Sequence, residues 1–116
     1  MHTRVSVDAH GRTHFAPFDL AALHAPGANL PTHTLFDSRP PGAVQEWHNA
    51  VVPMLVITLR GRMEVEIEGG ETREFGPGDV RFAEDTTGAG HQTRVLGDEP
   101  WQFAVLMLEP PPELAG

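Results

Sequence analysis

"LRGRMEVEIEGGETREFGPGDV", residues 59–80, decides the fold. Within it, residues 63–68 alternate strictly: Met63, Val65 and Ile67 point one way, Glu64, Glu66 and Glu68 the other. A period of two is the mark of a strand with one buried face. Gly69-Gly70 offers a two-residue turn that tolerates positive φ, and "ETREF" returns as the partner strand. "GPGD", 76–79, is a tight turn in which proline presets φ and glycine follows. The three glutamates are explained by a solvated strand face; a cation site is the alternative reading.

Working outward, "MLVITL", 54–59, is apolar on both faces, as a strand covered on both sides would be. Gly61 ends it. Downstream, "VRFA" (80–83), "HQTRVL" (91–96) and "WQFAVLML" (101–108) read as short strands. The loop "EDTTGAG" (84–90) lies among them. "RVSV" and "THTLF" add strands nearer the start. "FDLAALHAPG", 18–27, has the material for one helical turn, with Asp19 to cap it and Gly27 to end it. The tail "EPPPELAG" cannot join a sheet past Pro110, Pro111 and Pro112 and is expected to be loose. With 12 glycines and 11 prolines between short apolar runs, the pattern is all-β with little helix. A double-sheet jelly roll or small barrel buries such strands. The organisation expected is an N-terminal arm over 1–30 with one or two strands, exchanged with a second copy in one arrangement. A barrel over 31–109 and the tail over 110–116 complete it.

The length of 116 residues fits one domain with its own core. There is no cysteine, so disulfides, thiolate metal sites and cysteine nucleophiles are excluded. A net charge of −8 with 8 Lys plus Arg and no basic cluster argues against nucleic acid and anionic membranes as partners. No apolar run is long enough to span a bilayer, and the start lacks the apolar centre of a signal peptide. The expected location is cytoplasmic.

From about Glu46 to Leu108 the order of features resembles a small single-domain cupin. The first cupin motif is HxH, three or four residues, a glutamate, six residues and a glycine. With Gly61 as that glycine, the glutamate position falls on Met54, the first histidine on His48 and the second on Ala50. The second motif has a "PGD" turn, a strand, a loop and a histidine; "GPGDVRFAEDTTGAGH" provides Pro77-Gly78-Asp79 and His91. The resemblance implies a cupin-type double-stranded β-helix with His48 and His91 aimed into the barrel. It implies a divalent metal (Zn, Fe, Ni or Mn) in the family's usual form. This sequence departs from that form at Ala50, which cannot ligate, and Met54, a poor ligand for hard cations.

His48 and His91 are therefore the leading site residues, as metal ligands, as polar pocket residues without metal, or as structural histidines. Glu46 lies two residues before His48 and shares its face if the strand is regular. Glu46, His48 and His91 would then form a two-histidine, one-carboxylate set. His33 is another candidate ligand. Met54, Val56 and Thr58 would line the cavity beside His48, with Gln102 and Asp85 as polar contacts to a ligand. In the "EDTTGAG" loop, Glu84 or Asp85 accepts a hydrogen bond from His91 and fixes its tautomer, or else caps a turn. Trp47, next to His48, faces away from it, into packing or a dimer contact.

Two functions follow. One is an enzyme acting on a small, mostly apolar organic molecule, with a metal polarising a substrate oxygen or the histidines moving protons. Isomerisation, cyclisation and lyase chemistry fit both versions; oxygenation needs the metal. The other is a non-catalytic small-molecule binding or sensing cupin without metal, since this kind of fold hosts both. A structural subunit with a collapsed barrel is a third reading. Leu55, Ile57 and Leu59 would form an uncovered apolar stripe, from which a homodimer is expected.

Overall fold

The computed structural model describes residues 2–19 and 31–109. The expected helical turn falls largely in 20–30, and the proline-rich tail in 110–116, so both lie outside the described residues. The described chain has ten strands and no helix. These are β1 (His2–Val7), β2 (Thr13–Pro17), β3 (His33–Arg39), β4 (Val44–His48) and β5 (Met54–Arg60). They continue as β6 (Arg62–Ile67), β7 (Thr72–Phe75), β8 (Val80–Ala83), β9 (His91–Leu96) and β10 (Trp101–Met107).

The strands form two sheets. One has six strands in the order β2-β1-β8-β5-β10-β3; the other has four, β4-β9-β6-β7. The alternation in β6 is realised: Met63, Val65 and Ile67 are buried, and with Phe75 they form the centre of the core. Burying each such side chain contributes about 1.5–3 kcal/mol relative to exposure. Trp101 stacks on Phe103 at 3.8 Å between ring centres, and its Nε1–H donates to Thr58 Oγ1 at 3.0 Å.

The opposite face of β6 is more than solvated. Glu64 and Glu66 both pair with Arg94 across on β9, and Arg62 pairs with Glu74. Such cross-strand charge pairs add modestly to sheet stability. The hairpin between β6 and β7 is one residue longer than expected. Glu68, Gly69 and Gly70 form the loop, closed by Ile67 N–H to Glu71 O at 2.9 Å, with both glycines at positive φ.

The N-terminal arm is part of the larger sheet. β1 runs parallel to β8 and pairs antiparallel with β2 of the same chain. Phe18 then packs edge-on against Phe82, on the outer face of that sheet. Of the stripe expected to be uncovered, Leu55 and Ile57 are half-buried, while Leu59 is 52% exposed. Phe36 on β3 is 76% exposed.

Candidate functional site

Register determines which side chains enter the space between the sheets. On β5, Met54 pairs with Ala83 and Val56 with Arg81. Met54 and Val56 face inward, so Arg81 and Ala83 do too. On β10, Val105 and Met107 pair with Val56 and Met54 and join the same wall. On the other sheet, His48 at the end of β4 sits opposite His91 at the start of β9.

Two local features bring these histidines together. The first is a bulge in β4: Gln45 pairs with Thr93 and His48 with His91, so β4 uses three steps where β9 uses two. The second is Gly90, at φ +75, whose backbone lies so close to β4 that a Cβ would fall 2.4 Å from His48 O. Only glycine fits there without a shift. The two imidazoles meet edge to face with centres 4.4 Å apart.

They open on a cavity of about 280 Å³. Its walls include Leu35, Met54, Val56, Phe103, Val105 and Met107; His48, His91 and Arg81 provide polar groups. A mainly apolar concavity with a few converging polar groups is the usual form of a small-molecule site, and the volume lies near the lower end of the range of about 300–1,000 Å³.

Behind His91 stands Asp85, fully buried in the 84–90 loop. Its Oδ2 accepts from His91 Nδ1–H. Its own carbonyl accepts from Ala50 N–H at 3.1 Å, tying the loop to the segment after β4. His91 Nε2 faces Arg81 Nη1 at 3.5 Å. Since Arg81 can only donate and Asp85 is the acceptor at Nδ1, His91 is a neutral imidazole with its proton on Nδ1. Burial holds His91 below the usual histidine range; Asp85 pulls upward, and Arg81 and His48 push further down. Arg81 is itself buried, and desolvation lowers it to about 10 against the opposing pull of Asp85. Among the buried side-chain nitrogens and oxygens of the described residues, Arg81 Nε and Asp85 Oδ1 have no hydrogen-bond partner. His48 donates from Nδ1 to Glu46 O at 2.6 Å, which in the neutral ring places the lone pair on Nε2.

The expected site residues separate into three groups. His48, His91, Met54 and Val56 line the cavity. Asp85 is expected both as a ligand contact and as the acceptor that holds His91; it accepts from His91 and does not line the cavity. The rest are placed elsewhere. Glu46 does not share the face of His48, because the bulge breaks the alternation; its carboxylate accepts from Gln92 Nε2 at 3.0 Å. Gln45 takes the inward place instead. Thr58 is buried below the cavity and its hydroxyl is engaged by Trp101. Gln102 lies on an outer groove with Phe36 and Leu59. His33 pairs with Met107 on the edge strand but is outside the lining, with Nδ1 bonded to Thr32 Oγ1 at 3.1 Å. Trp47 faces outward beside Glu66 and Glu68. Arg81 was not singled out by sequence reasoning, and no local signal marks it.

The donor set does not suit a divalent metal. Among the described residues no three His, Asp or Glu side chains converge on one point. Glu46 is turned away, and the free nitrogen of His91 already faces a guanidinium. Stable zinc or iron sites usually have three or more protein ligands.

No family profile matches the chain, and no curated protein matches it. Solved structures do. A Cupin 2 conserved barrel domain protein from Salinispora arenicola matches with a TM-score of 0.54 and 26% identity, over 69% of this chain. The match covers 65% of that protein, less than two thirds of its length. TT1209 from Thermus thermophilus matches with a TM-score of 0.51 and 25% identity, over 80% of this chain and 97% of that one. The Cupin_2 domain of an XRE family transcriptional regulator from Enterobacter cloacae has a TM-score of 0.50 and 24% identity, over 66% and 80% of the two chains. The two-sheet, all-β architecture and these likenesses together establish a cupin-superfamily β-barrel fold.

Proposed function

We propose that the protein binds a small, mostly apolar organic molecule between its sheets, without a metal. The observation that carries this reading is the cavity itself, apolar on its walls and polar where His48, His91 and Arg81 meet. The four positions that the cupin motifs assign, His48, Ala50, Met54 and His91, all line it. Two of them carry no ligating group suited to a hard cation, which supports a pocket kept while the metal set is lost.

Elemental analysis of untagged protein, beside His48→Ala and His91→Ala, tests the metal-free part. The expected result is no stoichiometric zinc, iron, nickel or manganese in the wild type, even after addition and desalting. One retained equivalent, lost in both variants, would overturn it. Fragment binding followed by the methyl signals of Met54 and Met107, with core Met63 as control, tests the pocket.

A second reading, proton-transfer catalysis at the same site, is favoured by the state of His48. Its Nδ1 is held by a carbonyl, which leaves Nε2 as a base at the cavity wall. Isomerisation or lyase chemistry needs no more than such a group. The two readings part on turnover. Conversion of a bound ligand that His48→Gln abolishes while still binding it identifies an enzyme; binding with no conversion identifies a binding module.

A further inference from the structure

Resting on the metal-free pocket reading, we propose that the ligand carries a carboxylate and that the Arg81 guanidinium is its anchor. Arg81 is 7% exposed and lines the cavity from β8. Among the described residues it has no carboxylate within ion-pair distance; its hydrogen-bond contact is His91 Nε2 at 3.5 Å, and its Nε has no partner. A buried cation is normally paired, because an uncompensated charge in an apolar interior is costly. Asp85 attracts Arg81 electrostatically without an ion-pair contact, and its Oδ2 is already bonded to His91 Nδ1.

The other charges at the cavity neutralise themselves. Arg39 lines the same space, but its Nη1 donates to Asp37 Oδ2 at 2.7 Å. Arg81 is left as the cation awaiting an anion. The guanidinium fork matches a carboxylate in two parallel hydrogen bonds. A phosphate dianion would need more donors than one guanidinium provides, since the neutral His91 gives its N–H to Asp85 and presents an acceptor at Nε2. The apolar walls, Met54, Val56, Phe103 and Val105 among them, reward a carbon body behind the carboxylate. Asp85 and His91 are positioning residues here: the carboxylate fixes the tautomer, and the tautomer presents Nε2 to Arg81.

The test uses matched probes on the untagged wild-type chain, followed by calorimetry and by the methyl signals of Met54, Met107 and Met63. Benzoate is compared with benzamide, cyclohexanecarboxylate with its amide, and inorganic phosphate serves as the anion without a carbon body. Each carboxylate is expected to bind about tenfold or more tightly than its amide, the size of a charge-assisted hydrogen bond expressed as a ratio. Met54 and Met107 should shift and Met63 should not. Arg81→Met is expected to erase the preference while still taking up the amides. Amides binding as well as carboxylates, or phosphate binding as tightly as either carboxylate, overturns the anchor and leaves the pocket reading standing. If neither acids nor amides shift Met54 and Met107 at millimolar concentration, the pocket reading fails first. Should Arg81→Met not fold, the acid-to-amide ratio in the wild type decides alone.

Discussion

Asp85 and Arg81 are buried charges that share His91 between them, and a double-mutant cycle measures how far each depends on the other. Asp85→Asn keeps the shape of the side chain and the backbone bond from Ala50 to Asp85 O, but removes the charge that faces His91 Nδ1–H. It removes the charged acceptor of His91 Nδ1–H, a hydrogen bond of the charge-assisted kind worth about 1.5–3 kcal/mol, and the more distant negative charge felt by Arg81. The coupling itself follows from the geometry. With one imidazole between them, the charges lie roughly 7 Å apart, which at an effective dielectric near 20 gives about 2.4 kcal/mol of attraction. Arg81→Met removes the cation with a side chain of similar reach. The double variant should therefore be less destabilised than the sum of the singles by about 2 kcal/mol. Urea unfolding followed by tryptophan fluorescence suits the measurement: Trp101 is buried in the core, and urea does not screen charge. Circular dichroism run in parallel checks that the transition is two-state. Additivity within about 0.5 kcal/mol would mean that the two charges do not sense each other. It would refute the description of Asp85, His91 and Arg81 as one unit.

Other outcomes follow from the same geometry. Because burial lowers His91 in the folded state, the unfolded chain binds its proton at higher pH than the folded chain does. Stability on this account is complete above the ordinary histidine value of about 6.5 and is lost as pH falls below it, by up to about 1.4 kcal/mol per unit. The difference in unfolding free energy between wild type and His91→Gln, followed from pH 7.5 to 5, should narrow by that slope; a constant difference would count against a buried neutral imidazole. Gly90→Ala should destabilise by more than the 1–3 kcal/mol, roughly, of a left-handed alanine, since its Cβ also strikes His48 O, whereas Gly42→Ala meets nothing within 4 Å and should show the strain alone. Equal losses in the two variants would remove the close approach from the account of His48. The exposed Phe36 and Leu59 mark the face through which a homodimer is expected; sedimentation should show a dimer weakened by Phe36→Ser, and a monomer at micromolar concentration would dismiss it.

The sequence carried the fold more fully than the site. Alternation in β6, the turn at Pro77-Gly78-Asp79 and the apolar β5 are local, and local patterns are legible. Two strands carry no sharp pattern of their own: β2, within the arm expected to hold one or two strands, whose polar residues pair with β1, and β4, whose outward residues are mostly exposed and carry little alternation. Glu46 illustrates a limit of period-two reasoning. One extra residue between Gln45 and His48 reverses every assignment beyond it, and nothing in "VQEWH" announces a bulge. Arg81 illustrates another. Nothing in "VRFA" says which of Arg81 and Phe82 faces inward. In the structure Phe18 packs on Phe82 at the outer face, and Arg81 lines the cavity. That assignment depends on packing by a segment more than sixty residues away. Asp85 was legible as one of two alternatives, and only the path of the loop selects between them.

The position of Arg81 also bears on the proposed absence of a metal, beyond the side chains present at Ala50 and Met54. A metal on His91 needs the Nε2 lone pair, at about 2.1 Å. Arg81 Nη1 stands 3.5 Å from the same nitrogen. A dication there would sit roughly 4–5 Å from the guanidinium, and at an effective dielectric near 20 their repulsion is about 7 kcal/mol. Restoring a ligand should therefore not restore a metal site while the arginine stays. Ala50 lines the cavity beside His48 and His91, so Ala50→His adds a third imidazole to the set. In the wild-type background this variant is expected to bind zinc no better than the parent. Combined with Arg81→Met, it should bind zinc near one equivalent, measured by competition with a chromogenic chelator after desalting. Equal zinc uptake with and without Arg81 would show that the guanidinium does not exclude a metal. The fixed cation would then be a neighbour of the histidines and not a replacement for the ion.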